Sequence, residues 1–103
     1  MDSFLRGILE NKLEEYIKTC KVYDKGIRRT EELLQEYNIS DRIPNTIDLI
    51  MGYHIGRMLQ YSISSVMPRQ DDAKKIWSIE DIWTVIQSKL AQLSEKIETD
   101  LHR

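Results

Sequence analysis

The chain has 103 residues, of which 41% are hydrophobic and 31% are charged, and its formal net charge is −2 at pH 7. These proportions are typical of one globular domain over residues 1–103 and exclude an intrinsically disordered chain. Only four glycines and two prolines are present, which are too few for the many turns of an all-β fold. Positive and negative side chains are nearly balanced in each third of the sequence, so charge does not favour nucleic acid or anionic lipid as a partner.

The single cysteine, Cys20, excludes an intrachain disulfide and fits a reducing compartment. Charged residues interrupt the N-terminal sequence before an apolar run develops, so no secretory signal is predicted. The central apolar segment contains Asp48, His54 and Arg57, which would be costly in lipid. We therefore expect a cytoplasmic protein without a membrane-spanning segment.

The first predicted element is a long amphipathic helix over about Ser3–Tyr37. Apolar or semi-apolar residues recur at alternating spacings of four and three, the heptad pattern of a packed helix: they are Leu9, Leu13, Tyr16, Cys20, Tyr23, Ile27, Thr30, Leu34 and Tyr37. Gly26 costs about 1 kcal/mol inside a helix, although the pattern continues through it. We therefore predict one continuous helix, with a kink or break near Asp24–Gly26 as the alternative.

The end of this helix is also predictable. Asn38 tolerates the left-handed conformation that follows many helices, and Ile39 can then pack back on Leu34. The following residues, Ser40–Pro44, are a connector that leads into the second helix.

The second predicted helix begins after a cap at Asn45 or Thr46 and is the least charged part of the chain. Its apolar side chains fall on every side, which predicts burial on more than one side: they are Ile47, Leu49, Ile50, Met51, Tyr53, Ile55, Met58, Leu59, Tyr61, Ile63 and Val66. The helix must end near Val66, because Pro68 disfavours helical geometry at the residue before it.

The third predicted helix has the clearest start. Ser78 is a good N-cap with Asp81 as its capping-box partner, and Trp77 with Ile82 fits the hydrophobic staple. The preceding segment, Arg69–Lys75, is a polar link that we expect to be exposed. The apolar stripe of this helix again has heptad spacing: it consists of Ile79, Ile82, Trp83, Ile86, Leu90, Leu93, Ile97 and Leu101.

These elements predict an all-α fold, an antiparallel bundle of three long helices, or of four if the first helix breaks near Gly26. An unbroken first helix would be about 50 Å long and the other two about 30–35 Å. Part of its apolar seam would then lack cover within the chain. A break in the first helix or dimerisation would each bury this part of the seam, and the sequence does not choose between them.

His54 and Arg57 lie one turn apart on the buried helix, with Tyr53 and Tyr61 close by. One hypothesis is a ligand-binding or enzymatic pocket in which His54 acts as a base and Arg57 binds an anion. We favour the alternative that these are buried polar residues, with Arg57 paired to Asp48 or to a carboxylate of the first helix. No second catalytic group stands at a diagnostic spacing, so no enzymatic activity is predicted.

A metal centre would need clustered ligands, whereas Cys20, His54 and His102 are far apart in the sequence. Motifs that bind phosphate or dinucleotides are missing from the sequence. We therefore predict no metal and no cofactor. Cys20 occupies a seam position and is expected to be a small buried hydrophobe rather than a reactive thiol.

Gly52 and Gly56 are also one turn apart, and such a pair lets another backbone approach closely. We favour an internal crossing with the first or third helix, since the central helix must be buried in any case. The alternative is a surface for self-association.

The function expected by elimination is a non-catalytic protein-interaction or regulatory module, such as an adaptor, an inhibitor or an assembly subunit. Tyr37 at a helix end, and Arg69 and Trp77 at the polar link, are residue types enriched at interaction hot spots. We predict a protein partner and, because the helix lengths do not match, a homodimer.

The alternative function is an accessory nucleic-acid-binding subunit of a larger complex. Its cations would be Lys21, Lys25, Arg28 and Arg29, which form the densest basic strip of the chain. Acidic residues interrupt the strip, so an ordinary solvated helix face is favoured.

Overall fold

The computed structural model describes residues 3–39, 46–66 and 78–102. Within these ranges the regular secondary structure is entirely helical, in five helices: α1 Ser3–Thr19, α2 Lys25–Glu36, α3 Thr46–Val66, α4 Ile79–Gln87 and α5 Leu90–Leu101. The prediction of an all-α fold is confirmed. As far as the described residues extend, none of these helices has the length and apolar character that a membrane span requires.

The predicted first helix is two helices, because the chain leaves helical geometry between Thr19 and Lys25. Asp24 has extended backbone (φ −93°, ψ −179°) and is the N-cap of α2. Its Oδ1 accepts a hydrogen bond from the amide of Ile27 at 3.0 Å. The expectation of a continuous helix is therefore wrong, and the break ends just before Gly26.

The end of α2 follows the prediction. Asn38 has the left-handed conformation, with a φ of 57°. The amide of Ile39 donates to the carbonyl of Leu34 at 2.7 Å, and the amide of Asn38 donates to Gln35 at 3.1 Å. These bonds satisfy carbonyls that the last turn of a helix leaves without partners.

The start of α4 is also as predicted. The hydroxyl of Ser78 accepts from the amide of Asp81 at 3.3 Å, and the Asp81 carboxylate accepts from the amide of Ser78 at 3.2 Å. Together these bonds form a capping box. The staple residue Trp77 lies outside the described residues.

The predicted third helix is divided at Ser88 and Lys89, and this corrects the expectation of one continuous helix. The amide of Ser88 donates to Val85 at 3.1 Å, and that of Lys89 donates to Ile86 at 2.9 Å. Bonds across three residues are tighter than those of an α-helix and turn the chain locally. The apolar pattern continues through this turn, so the spacing of apolar residues does not reveal it.

The helix at the centre of the fold is α3, which contacts each of the other four described helices. Its fully buried side is formed by Ile50, His54, Met58 and Ser62. Ile50 and Met58 pack in a core with residues of the other helices and of the α1–α2 connection: these are Leu9, Leu13, Ile17, Val22, Ile27, Ile82, Val85, Ile86, Leu93 and Ile97.

Contacts with α3 show its direction relative to α1. Tyr61, late in α3, lies against Tyr16 of α1 with their ring centroids 6.4 Å apart. His54, one to two turns earlier, reaches Val22, which follows α1 in the chain. The two helices therefore run in opposite directions.

Two lysines, one at the N-cap of α5 and one within it, join this part of the chain to α1. Lys89 Nζ lies 2.6 Å from Glu14 Oε1 and holds the pKa of that carboxyl below its usual value. Lys96 Nζ donates to the carbonyl of Lys18 at 3.3 Å, in the last turn of α1. The earlier lysine contacts the earlier residue of α1, and the later lysine contacts the later one. Therefore α5 runs in the same direction as α1.

We predict that Ile97→Ala lowers the free energy of unfolding by about 2–5 kcal/mol, because Ile97 is fully buried and truncation leaves a cavity. Leu101→Ala in the same helix is the control. Leu101 is 37% exposed, so this change should cost less than about 1 kcal/mol. Urea unfolding followed by circular dichroism measures both values. Equal losses would contradict this packing of α5.

Candidate functional site

His54 joins α3 to α1 and to the connection between α1 and α2. Its side chain is 1% exposed, with Nε2 2.9 Å from the Val22 carbonyl and Nδ1 2.8 Å from the Tyr16 hydroxyl. A carbonyl can only accept, so the Nε2 hydrogen is donated to Val22 and the Tyr16 hydroxyl donates to Nδ1. Both ring nitrogens are therefore occupied within the protein.

A second set of hydrogen bonds lies beside the first. The Tyr53 hydroxyl donates to Asp24 Oδ2 at 2.9 Å, and Arg57 Nη1 donates to that hydroxyl at 3.3 Å. Burial alone would raise the pKa of Asp24, but hydrogen bonds from the Ile27 amide and the Tyr53 hydroxyl outweigh it and lower the pKa. The ionised Asp24 therefore binds the start of α2 to the middle of α3.

Gly26 provides the space that this contact needs. A Cβ atom at this position would lie 2.5 Å from the Tyr53 hydroxyl oxygen, which is closer than real contacts allow. The sequence marked Gly26 as a point of helix weakness. In the structure it lies in the first turn of α2, where its lack of a side chain admits the Tyr53 ring.

Of the three predicted buried polar residues, only His54 is buried. Asp48 and Arg57 are exposed instead. Asp48 lies in the first turn of α3, where a carboxylate can stay hydrated and still interact favourably with the helix dipole. The guanidinium of Arg57 extends along the Tyr53 ring to the surface, 5.7 Å from the ring centroid.

Gly52 and Gly56 are both exposed, and no described atom outside their own helix lies within 4 Å of a Cβ placed at either one. The internal crossing that we favoured is therefore not made by the described helices. The reason is orientation, since the two glycines lie on the side of α3 opposite His54. Gly52 instead lines an open groove of about 320 Å³ between α2 and α3, together with Ile27, Thr30, Asp48, Leu49 and Tyr53.

Tyr37 is 68% exposed at the end of α2, whereas Arg69 and Trp77 lie outside the described residues. Other large apolar side chains of the same pair of helices are also exposed. We call these side chains and the adjoining groove the α2–α3 surface: it comprises Thr30, Leu33, Tyr37, Ile39, Leu49 and Gly52. Leu33 and Tyr37 follow Thr30 at helical spacing and so lie on the side of α2 that lines the groove.

The four cations of the predicted basic strip, Lys21, Lys25, Arg28 and Arg29, are all exposed. Arg29 Nη1 lies 3.3 Å from a carboxylate oxygen of Glu32. Arg28 lies over the ring of Tyr23, 6.0 Å from its centroid, and the Tyr23 hydroxyl donates to Glu31. Anionic and cationic groups thus alternate along this face of the protein.

Cys20 is half-buried, and its Sγ donates to the carbonyl of Ile17 at 3.5 Å. Burial raises the pKa of the thiol, which disfavours the reactive thiolate. In the described part of the chain, no three His, Cys, Asp or Glu side chains are grouped closely enough to hold a metal ion.

A cleft between α1 and α3 contains Arg57 and Tyr61 of the pocket hypothesised from the sequence, but His54 does not line it. It has a volume of about 340 Å³ and is lined by Tyr16, Arg57, Gln60, Tyr61 and Ser64, which we call the α1–α3 cleft. Four of these residues, at positions 57, 60, 61 and 64, follow helical spacing and form a polar stripe along the second half of α3. That stripe was the signal in the sequence that could have located the cleft.

Comparison of the chain with protein-family models, with curated proteins and with solved structures gives no match.

We predict that Gly26→Ala destabilises the protein, because the added methyl group displaces the Tyr53 hydroxyl from Asp24. Gly7→Ala is the control, since Gly7 is also helical and has no described atom within 4 Å of its Cβ position outside its own helix. That change should stabilise by up to about 1 kcal/mol. Thermal unfolding of both variants measures the difference. A gain in stability for Gly26→Ala would contradict the close contact with Tyr53.

Burial raises the pKa of Tyr16 to about 12. The ordinary pKa of tyrosine is about 10, so the folded protein holds the phenol proton more tightly than the unfolded chain does. Tyr16 therefore contributes its full stabilisation of the fold below pH 10, and this contribution is lost as the pH rises through 12. We predict that the free energy of unfolding falls over this interval and falls less steeply in Tyr16→Phe. Denaturant unfolding at several pH values measures the slopes, with Tyr37→Phe as an exposed control. Identical slopes for Tyr16→Phe and the unmodified protein would contradict the assignment.

Proposed function

We propose that this protein is a non-catalytic interaction or regulatory module that binds another protein through the α2–α3 surface. The observation that carries the proposal is the exposure of three large apolar side chains in and just after the last turn of α2: Leu33 (38%), Tyr37 (68%) and Ile39 (40%). Exposed apolar groups that adjoin a groove are characteristic of protein-binding surfaces. Tyr37 has the amphipathic aromatic character that hot spots favour.

The packing of α2 supports this proposal. Ile27 is fully buried in the core, whereas Leu33, about two turns later, and Tyr37, the C-cap of α2, are exposed. The first part of α2 therefore has an intramolecular partner in α3, and the last part presents apolar surface to solvent. An added helix from a partner would remove that surface from water.

The shape of the groove favours an amphipathic helix as the occupant. Apolar side chains at intervals of three or four residues fit grooves formed by two helices. Gly52 has no side chain to separate the two backbones, so a partner helix can approach α3 closely at that point.

We infer that the described helices form an antiparallel bundle, with α2 extending the α1 side along α3. We also propose that the chain forms a homodimer. Gly52 and Gly56 support self-association, because both present exposed backbone on one side of α3. In a dimer a second copy would cover the α2–α3 surface.

The alternative functions have weaker support. A nucleic-acid-binding role would use Lys21, Lys25, Arg28 and Arg29, but acidic neighbours alternate with these cations. An enzymatic role for His54 would need an accessible ring nitrogen, whereas both nitrogens are bonded inside the protein.

We predict that the double change Leu33→Ala and Tyr37→Ala lowers affinity for the partner at least about tenfold, as truncation of hot-spot residues does. Affinity capture from native cells, quantified by mass spectrometry, identifies a partner that the double variant loses. Titration of the purified partner then gives the affinity. Phe4→Ala is the control, because Phe4 is a 73% exposed apolar residue on α1.

Light scattering on the isolated protein distinguishes the two occupants. A dimer that the double variant converts to a monomer would identify the partner as a second copy of the chain. A monomer whose captured proteins are the same for the double variant and for Phe4→Ala would overturn the proposal. Circular dichroism of each variant checks that the fold is retained.

A further inference from the structure

The α1–α3 cleft shares no lining residue with the α2–α3 groove but adjoins it, because the Tyr53 hydroxyl at the groove accepts from Arg57 of the cleft. None of its five lining residues is acidic, and each carries a polar group that can form hydrogen bonds. Lys12 adds a second cation next to Tyr61, with its Nζ 5.8 Å from the centroid of the Tyr61 ring. The cleft therefore combines positive charge with hydrogen-bond donors in a concave surface.

Arg57 is held in place before any ligand arrives. Its guanidinium lies over the Tyr53 ring, and Nη1 donates to the Tyr53 hydroxyl, which is itself fixed by Asp24. An arginine has five N–H donors in a planar fork. The bond to Tyr53 uses one of them, and the guanidinium also interacts with the Tyr16 hydroxyl. Because the side chain has already lost much of its freedom, binding an oxyanion costs less conformational entropy.

Tyr61 provides an aromatic wall next to this cation. The side chain is 42% exposed, and its ring is tilted by 34° against that of Tyr16. A planar ring can contact the exposed part of Tyr61 while a charged group attached to it reaches Arg57. The amide of Gln60 lies in the same cleft and can donate a further hydrogen bond.

We propose that the α1–α3 cleft binds a small aromatic molecule that carries an oxyanion, either a phosphate or a carboxylate. Arg57 binds the oxyanion through paired N–H groups, and the aromatic ring lies against Tyr61. A volume of about 340 Å³ is at the lower end of the range for small-molecule sites. This ligand site is independent of the protein-binding function proposed for the α2–α3 surface.

The test is a titration with phenyl phosphate followed by ¹H–¹⁵N NMR on the full chain. We expect saturable shifts confined to α3 residues 57–64 and the facing part of α1. Arg57→Gln should weaken the affinity at least about tenfold, the loss expected for a charge-assisted hydrogen-bond pair. Inorganic phosphate should bind more weakly than phenyl phosphate, and benzyl alcohol should give no saturable shift.

Arg28→Gln is the matched control, because Arg28 also lies over a tyrosine ring, that of Tyr23, but does not line the cleft. Its affinity for phenyl phosphate should equal that of the unmodified protein. Tyr61→Leu is a second variant that removes the aromatic wall and leaves Arg57 in place. It should reduce the preference for phenyl phosphate over inorganic phosphate.

Three results would overturn the proposal. They are an equal loss of affinity in Arg28→Gln and Arg57→Gln, equal affinities for phenyl phosphate and inorganic phosphate, and shifts spread over all exposed cations. None of these results bears on capture of a protein by the α2–α3 surface, so the two proposals fail separately.

Discussion

The fold depends on the burial of His54, whose imidazole must find partners for both nitrogens in the protein interior. Tyr16 supplies one partner from α1, and the Val22 carbonyl supplies the other. In a continuous helix that carbonyl would accept from the amide four residues later, at Gly26. The break between α1 and α2 frees the carbonyl of Val22 for His54. The hydrogen bond between His54 and Val22 therefore depends on the break between α1 and α2.

A chain of hydrogen bonds connects the break between α1 and α2 to the protein surface. Asp24 caps α2 with one carboxylate oxygen and accepts from Tyr53 with the other. Tyr53 in turn accepts from Arg57, whose guanidinium lines the α1–α3 cleft. Gly26 admits the Tyr53 ring because it has no side chain. Through Tyr53, the turn between the first two helices thus positions the cation of the α1–α3 cleft.

The composition of α3 explains why two different surfaces meet on one helix. It contacts four other helices, so most of its circumference is apolar. The polar residues Arg57 and Gln60 interrupt this pattern beside α1 and open a charged cleft. Leu49 and Gly52 lie beside α2 and line an apolar groove. We propose an anion with an aromatic body as the ligand of the first surface and a helix of a protein partner as the ligand of the second.

The sequence by itself determined the helical class, the left-handed stop at Asn38 and the capping box at Ser78, because each depends on residues close together in the chain. It did not determine the break after Thr19 or the exposure of Arg57 and of the α3 glycines. Those depend on contacts such as His54 with Val22 and Tyr53 with Asp24, separated by 32 and 29 residues. Apolar periodicity identifies the side of a helix that is buried on folding, whereas only tertiary packing decides which helix buries it.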